Sequence, residues 1–309
     1  MTACENPRIG VLLANTGTPK SPEPHDVRRY LGRFLMDERI RPMAKAPWWL
    51  ILHLFILPAR SVKSGKKYEK IWTEAGSPFD VEHAKLRVLL EQHLHSEGMD
   101  VRVQVGQSYG EDTIGDALAA LREQGCAKVI VLPLYPQSAH STTLSVKDGV
   151  AAAMTELSWQ APVTFVESYG MDSAYIEAVA HAVSAAGFDA QAGDRLLFNY
   201  HSIPIKDIEQ GDTYEPQTGA TALAVAGKLH LDRTQWTIGY NCRFDKSREW
   251  LQPFTRGVLE RWARARQGRV FMVCPNFAVD CLETLYDIDD ELVPWYRQAV
   301  EEAGRSYEG

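Results

Sequence analysis

Residues 195–204 read RLLFNYHSIP: a run of large apolar side chains, a histidine directly after it, and a proline three residues further on. Apart from Asn199, residues 196–200 are large and apolar, which suits a strand buried on both faces of a sheet. Pro204 lacks the N–H that a ladder needs, so the strand stops and leaves His201 at its carboxyl end. The same pattern occurs earlier in the chain. In residues 12–19 (LLANTGTP), Leu12, Leu13, Asn15 and Pro19 match Leu196, Leu197, Asn199 and Pro204, and later in each half a strand ends at a proline, VIVLP at Pro133 and FMVCP at Pro275. These matches predict an internal duplication.

Working outward, further apolar runs occupy 9–14, 101–105, 128–134, 163–166, 236–240 and 270–274, with helical-period segments at 82–95, 114–123, 174–186, 219–229 and 257–266. Alternation of this kind predicts an α/β fold of βαβ units, each half a mostly parallel sheet flanked by helices. The expectation is two similar Rossmann-like halves, 1–160 carrying an apolar lip and 161–309 carrying a His/Glu site, with the cleft between them. Ligands of open parallel sheets sit beyond the carboxyl ends of the strands, so the residues after each run are the ones to inspect.

Composition narrows the function. At 309 residues with 45% hydrophobic and 24% charged side chains the chain is of ordinary globular make-up. A net charge of -7 without a long basic block argues against nucleic acid as a partner. Five cysteines, at 4, 126, 242, 274 and 281, form no C-x-x-C pair and leave an odd count, which argues against a disulfide framework. The first ten residues lack the charged-then-apolar pattern of a secretory signal, and the glycines at 17, 76 and 110 build no nucleotide-binding fingerprint.

Two groups of residues suit metal or proton chemistry. His201 reads as a base or a metal ligand, or as a histidine that satisfies a turn. Downstream, Glu283, Asp287 and Glu291 fall at i, i+4, i+8, one face of a helix, where like charges repel unless a cation visits them. A divalent ion bound by carboxylate and imidazole is one reading. The other is a capping box, with Asp280 as N-cap and Glu283 three residues on, although capping leaves Asp287 and Glu291 without a role. His140, in YPQSAHSTT (135–143), reads as a pocket lining or a cap for the next helix. Residues 48–57 (WWLILHLFIL) give ten apolar positions where a spanning helix needs about 20, flanked by Arg39, Arg41, Lys45, Arg60, Lys63, Lys66 and Lys67. That stretch reads either as a lip for a flat apolar ligand or bilayer surface, or as an ordinary buried helix.

Seven ordered segments carry a resemblance: LLANTGTP (12–19), RRYLGRFLMDERI (28–40), YEKIWTEAGSP (68–78), LPLYPQSAHSTT (132–143), YHSIPIKDIEQGDTY (200–214), EWLQPFT (249–255) and CPNFAVDCLETLYDID (274–289). Together they resemble the ferrochelatase family, which inserts ferrous iron into a porphyrin in haem synthesis. The resemblance implies His201 and Glu283 facing one another across the macrocycle, as the catalytic pair. It implies Asp287 and Glu291 as further residues receiving metal or carrying protons away. It also implies Trp48, Trp49 and Leu57 at the pocket lip, and Tyr135, Ser141, Thr142 and Trp250 in its walls. Thr16 occupies the ring-facing position where family members often carry an aromatic or large apolar residue. Ferrous iron is a substrate, no cofactor is required, and no iron–sulfur cluster is expected.

This chain departs from the family's pattern at Cys242, where serine is common, in a loop from Arg243 to Trp250 that is one residue longer, and in ending at RSYEG, short of a helical tail. The segment CPNFAVDCLETL is closer to enzymes of the protoporphyrin route than to those acting on coproporphyrin. A cobalt or nickel chelatase of the same fold and a non-catalytic tetrapyrrole carrier are the competing readings. The protein is expected in the cytoplasm, with peripheral contact to the inner face of the membrane.

Overall fold

The structure, a computed structural model, describes residues 7–245, 247–265 and 268–304. Arg266 and the terminal RSYEG segment lie outside the described residues. The chain forms two compact units, one comprising residues up to Tyr135 with His140–Glu167 and Val279–Leu282, the other Pro136–Ala139, Ser168–Ala278 and the residues from Glu283 onward. The first unit therefore runs past 160, because the short strand after that point pairs with the first sheet.

In the first unit the elements are β1 (Ile9–Asn15), α1 (Pro24–Met36), α2 (Lys45–Ile51), α3 (Leu57–Ile71), α4 (Pro78–Ser96), β2 (Val101–Gln107), α5 (Ile114–Glu123), β3 (Lys128–Pro133), α6 (Ser145–Glu156) and β4 (Val163–Phe165). Two π-helical turns interrupt the helices, Leu52–Ile56 between α2 and α3, and His140–Leu144 before α6. The strands are all parallel, in the order β2-β1-β3-β4, with Leu13 level with Val105 and Leu132. Alternate side chains of β1 face opposite ways. Leu12 and Ala14 pack with Leu118, Leu121, Val146 and Val150 of α5 and α6, while Val11 and Leu13 pack toward Leu86, Leu90 and Leu94 of α4. Both faces are thus covered, which is why the strands read as continuous apolar runs. A third cluster, including Tyr30, Leu35, Leu52, Leu57 and Tyr68, joins α1 to the α2–α3 arm.

The second unit holds α7 (Ser173–Ala185), β5 (Arg195–His201), α8 (Ile205–Glu209), α9 (Tyr214–Lys228), β6 (Trp236–Asn241), α10 (Thr255–Ala265), β7 (Val270–Val273), α11 (Leu282–Leu285) and α12 (Val293–Glu302), with a π-helical turn at Asp287–Leu292. Its sheet is parallel in the order β6-β5-β7. Leu196, Phe198 and Tyr200 pack with Ile176, Ala180, Ala222 and Val225 on one face, and Leu197 packs with Val258, Leu259 and Leu292 on the other. At the amino end of this sheet the Arg269 guanidinium holds buried Asp194 at 2.8 Å.

In each unit the first strand is central, with the second strand on one side and the third on the other. That shared order agrees with the duplication read from LLANTGTP and RLLFNYHSIP. It also creates, in each sheet, a point between first and third strands where the connections diverge and the carboxyl ends open.

Candidate active site

In the second unit the divergence point lies between β5 and β7. His201 is the last residue of β5, and the segment leaving β7 leads through Pro275 to Glu283 on α11. The imidazole is oriented by its own chain: Nδ1 lies 2.6 Å from the Ser202 carbonyl oxygen, which can only accept, so Nδ1 carries the proton and donates. Nε2 is left with its lone pair. Ser202 is pinned in turn, its N–H donating to the Asn241 carbonyl at 2.7 Å and its hydroxyl to the Leu251 carbonyl at 2.9 Å. A base or ligand held this way loses little rotational freedom on meeting a substrate.

Burial holds the His201 imidazole below the usual histidine range, against the opposing pull of Glu283, the Ser202 hydrogen bond and Asp287. The ring is therefore neutral at pH 7 and able to accept a proton or a metal. Among the described residues the Glu283 carboxylate has no hydrogen-bond or ion-pair partner, and its charge is felt at the His201 ring. Asp287 opens the π turn after α11 and accepts from the Cys242 thiol, with Sγ 3.6 Å from Oδ2. Burial pushes that thiol well up, reinforced by Glu283 and Asp287, which keeps it protonated and a donor.

The π turn changes the expected stripe. At 3.6 residues per turn a four-residue step overshoots by about 40°. A turn closed by i→i+5 bonds takes more residues, so that overshoot shrinks. Glu291 ends up one residue before buried Leu292, further along the same turn. The capping reading shifts too: α11 begins at Leu282, so Cys281 and not Asp280 occupies the cap position. Among the described residues, no three His, Cys, Asp or Glu side chains converge closely enough to hold a metal ion. The arrangement is an open pair of acid and base with a second acid beside it, not a closed cage.

Trp250 is buried and meets Phe244 edge-on at 5.8 Å, and Phe244 in turn lies 5.2 Å from the His201 ring. Phe244 was not singled out from the sequence, because it sits in an irregular loop without periodicity; its only signal was its place between Arg243 and Trp250. A cavity of about 640 Å³ is bordered by Trp250, Phe254, Arg243, Arg248 and Glu215. It does not include His201, Glu283 or Asp287. Arg243 stacks on Phe254 at 4.6 Å and Arg248 on Trp250 at 4.9 Å, placing two cations on aromatic faces.

The other candidate residues lie in the first unit. Thr16 follows β1 and Tyr135 follows β3, adjacent strands, so both stand at that sheet's own divergence point. The Thr16 N–H donates to Asn15 Oδ1 at 2.8 Å. Ser141 and Thr142 are half-buried on the second π turn, and His140 begins it. Trp48 donates its indole N–H to the Leu35 carbonyl at 2.6 Å and is half-buried, whereas Trp49 is 50% exposed and stacks on His53. Leu57 is 1% exposed inside the α1–α3 core. It supports the lip from beneath, since a substrate contact needs accessible surface. Leu50, Leu54 and Phe55 are exposed beside Trp49, so the stretch is not an ordinary buried helix.

Comparison with known proteins bears on the family and the fold. The family model described as ferrochelatase matches residues 8–308. A ferrochelatase of Haemophilus influenzae (strain ATCC 51907 / DSM 11121 / KW20 / Rd) is 39% identical over 284 residues, covering 92% of this chain and 87% of that protein. One from Actinobacillus pleuropneumoniae serotype 5b (strain L20) is 40% identical with the same coverage, and one from Janthinobacterium sp. (strain Marseille) is 39% identical over 91% of this chain and 76% of its own length. Among solved structures, SirB from Bacillus subtilis with Fe3+ superposes with a TM-score of 0.54 at 10% identity, covering 94% of this chain and 84% of that one, a likeness of fold. Matched over nearly its whole length by the family model and by relatives near 40% identity, the chain belongs to the ferrochelatase family.

Proposed function

We propose that this chelatase acts on protoporphyrin IX, with His201 accepting pyrrole protons or ligating the iron, and with Glu283, Asp287 and Glu291 receiving the metal and carrying protons away. The enzyme inserts ferrous iron into a porphyrin to form haem. In that reaction one Fe2+ replaces two pyrrole protons, so the site must take up two protons and strip the ion of water. The observation that carries the residue assignment is the His201 imidazole fixed through Nδ1 and held neutral by burial, with Glu283 and Asp287 close enough to pull against that burial. Protoporphyrin is favoured over coproporphyrin by the CPNFAVDCLETL segment. A macrocycle held bent exposes its nitrogen lone pairs, with the strain supplied by binding of the ring edge and its propionates. Arg243, stacked on Phe254 at the cavity edge, suits those carboxylates, whereas Arg248 is already paired with Asp245 and the buried Trp250 backs the cavity wall. Thr16, Tyr135, Ser141 and Thr142 at the strand ends of the first unit are assigned to the ring as well.

The test is anaerobic insertion of ferrous iron into protoporphyrin and into coproporphyrin, comparing the unaltered protein with His201→Ala and Glu283→Ala. Turnover abolished by both substitutions supports the assignment and names the porphyrin. Tight porphyrin binding without insertion of any divalent metal makes the chain a carrier, and turnover confined to cobalt or nickel makes it a chelatase of another tetrapyrrole.

No helix among the described residues is long and apolar enough to cross a membrane. The exposed Trp49, Leu50, Leu54 and Phe55, with Lys45 and Lys63 nearby, suit contact with an anionic bilayer from the cytoplasmic side. Trp49→Ser with Phe55→Ser reduces co-sedimentation with anionic liposomes on this reading. Unchanged co-sedimentation removes it.

A further inference from the structure

Cys242 follows the last residue of β6 with φ at +64°, a left-handed pose that residues other than glycine adopt only where their surroundings hold them there. Its surroundings do so from both sides. The carbonyl of Asn241, the residue before it, accepts from the Ser202 N–H at 2.7 Å, and Phe244, two residues after it, sets its ring 5.2 Å from His201. Between these anchors the Cys242 side chain reaches the acidic π turn, where Sγ donates to Asp287 Oδ2 at 3.6 Å.

We propose that Cys242 is a positioning residue for metal insertion: its S–H···O hydrogen bond selects the orientation in which the Asp287 carboxylate receives the incoming cation. The inference rests on the iron-insertion reading above, and Cys242 acts through Asp287 rather than on the porphyrin. The choice of donor suits the task. A thiol is a weak, uncharged donor, so it orients the carboxylate yet competes little with a divalent cation.

Anaerobic insertion of ferrous iron into protoporphyrin by the full chain tests the proposal, using Cys242→Ala, Cys242→Gly, Cys242→Ser, Asp287→Ala and the Cys242→Ala/Asp287→Ala double variant, each checked for an unchanged melting curve. Loss of the donor in Cys242→Ala is expected to raise KM for iron about fivefold while KM for porphyrin stays within about twofold. Cys242→Gly, which suffers no penalty at this φ, is expected to match Cys242→Ala, separating loss of the donor from backbone strain. Cys242→Ser keeps an O–H donor and restores the KM for iron. In the Asp287→Ala background the further change Cys242→Ala has no effect. Cobalt(II) affinity of the porphyrin-free protein follows the same order without turnover. The proposal is overturned if Cys242→Ala leaves the KM for iron unchanged, if serine is as impaired as alanine, or if Cys242→Ala has its full effect without Asp287. An unaltered protein that inserts no iron overturns the insertion reading itself, and this inference with it.

Discussion

Asp80, in the first turn of α4, offers a test of how the first unit holds its strand-end loop. Its carboxyl is pushed up to about 6 from an ordinary 3.8 by burial, with Asp112 adding to the shift and a hydrogen bond from Gln107 opposing it. Gln107 Nε2 donates to Asp80 Oδ1 at 2.7 Å, and Gln107 Oε1 accepts from the Thr18 N–H at 3.4 Å, so the pair braces the loop that carries Thr16. Asp80→Asn keeps the acceptor and removes the charge. A shift of about two units corresponds to about 3 kcal/mol against ionisation in the folded state. Asp80 is only half-buried, so solvent screens part of this. The helix dipole, which favours a first-turn acid by about 0.5 kcal/mol, offsets more. The net expectation at pH 7.5 is a variant more stable by about 1 kcal/mol. Because the native carboxyl is protonated below about pH 6 and the unfolded one only below about 3.8, native protein binds more protons in that window. The contribution of Asp80 to stability therefore falls as pH rises from about 4 to 6, and the two proteins converge as pH approaches 4. Thermal melts of both proteins at pH 7.5 and 4.5 measure this directly. A variant no more stable at pH 7.5, or a gap that does not narrow at pH 4.5, refutes the placement of Asp80 in a desolvated site.

Further outcomes follow from the same structure. As an acceptor His201 must be neutral, and burial lowers its titration, so the acid limb of kcat/KM for iron insertion falls below pH 6.5; Glu283→Gln removes a carboxylate that raises it and moves the limb lower still. His201→Ala lowers kcat by about 10²- to 10⁴-fold if the imidazole transfers protons, with porphyrin affinity retained in a fluorescence titration. Gly17 has φ +104°, and a Cβ there would lie 2.8 Å from the Gly110 nitrogen, so Gly17→Ala destabilises the first unit by about 3 kcal/mol in a denaturant titration. Phe198 is fully buried in the second sheet, so Phe198→Ala costs about 3–5 kcal/mol by the same measurement.

The strands were legible because both faces of each sheet are covered. VIVLP is apolar at every position and RLLFNY at all but Arg195 and Asn199 for that reason, and their ends fall where proline or a polar residue stops the ladder. His201 was legible by the same logic, as the residue directly before that stop. The acidic column was only half legible. Spacing alone put Glu283, Asp287 and Glu291 on one α-helical face, but the chain there makes a four-residue helix and then a π turn. Nothing in period-3.6 reasoning distinguishes the two, since both tolerate four-residue spacing. Cys242 and Phe244 were less visible still: they owe their positions to the close of β6 and to a left-handed backbone, and neither feature has a compositional mark. Leu57, which the resemblance implied at the lip, is instead buried beneath it, because the apolar stretch does not mark which of its side chains face the core.

The duplication explains where the chemistry sits. Asn15 and Asn199 occupy matching places near the ends of the two central strands, and both are buried. Each amide ties its strand end to the elements beside it. Asn15 holds the Thr16 N–H through Oδ1 and meets His83 Nε2 at 3.1 Å through Nδ2. Asn199 accepts from the Thr255 hydroxyl at 2.6 Å and donates to Cys274 Sγ at 3.4 Å. A repeated strand end thus keeps one buried amide as a brace in both units, because an unpaired amide at such depth would be costly. What differs comes after the brace. In the first unit the chain turns at once through Gly17, whose positive φ brings Thr18 back toward Gln107, so a glycine stands two residues after the asparagine. In the second, the strand runs two residues further and ends on His201, beyond the last residue paired with β7 but still level with Asn241 of β6. The imidazole thereby projects past the shorter third strand, toward the side from which the β7 segment brings Glu283. An extension of the central strand by two residues past its buried asparagine is thus what carries His201 beyond the end of β7.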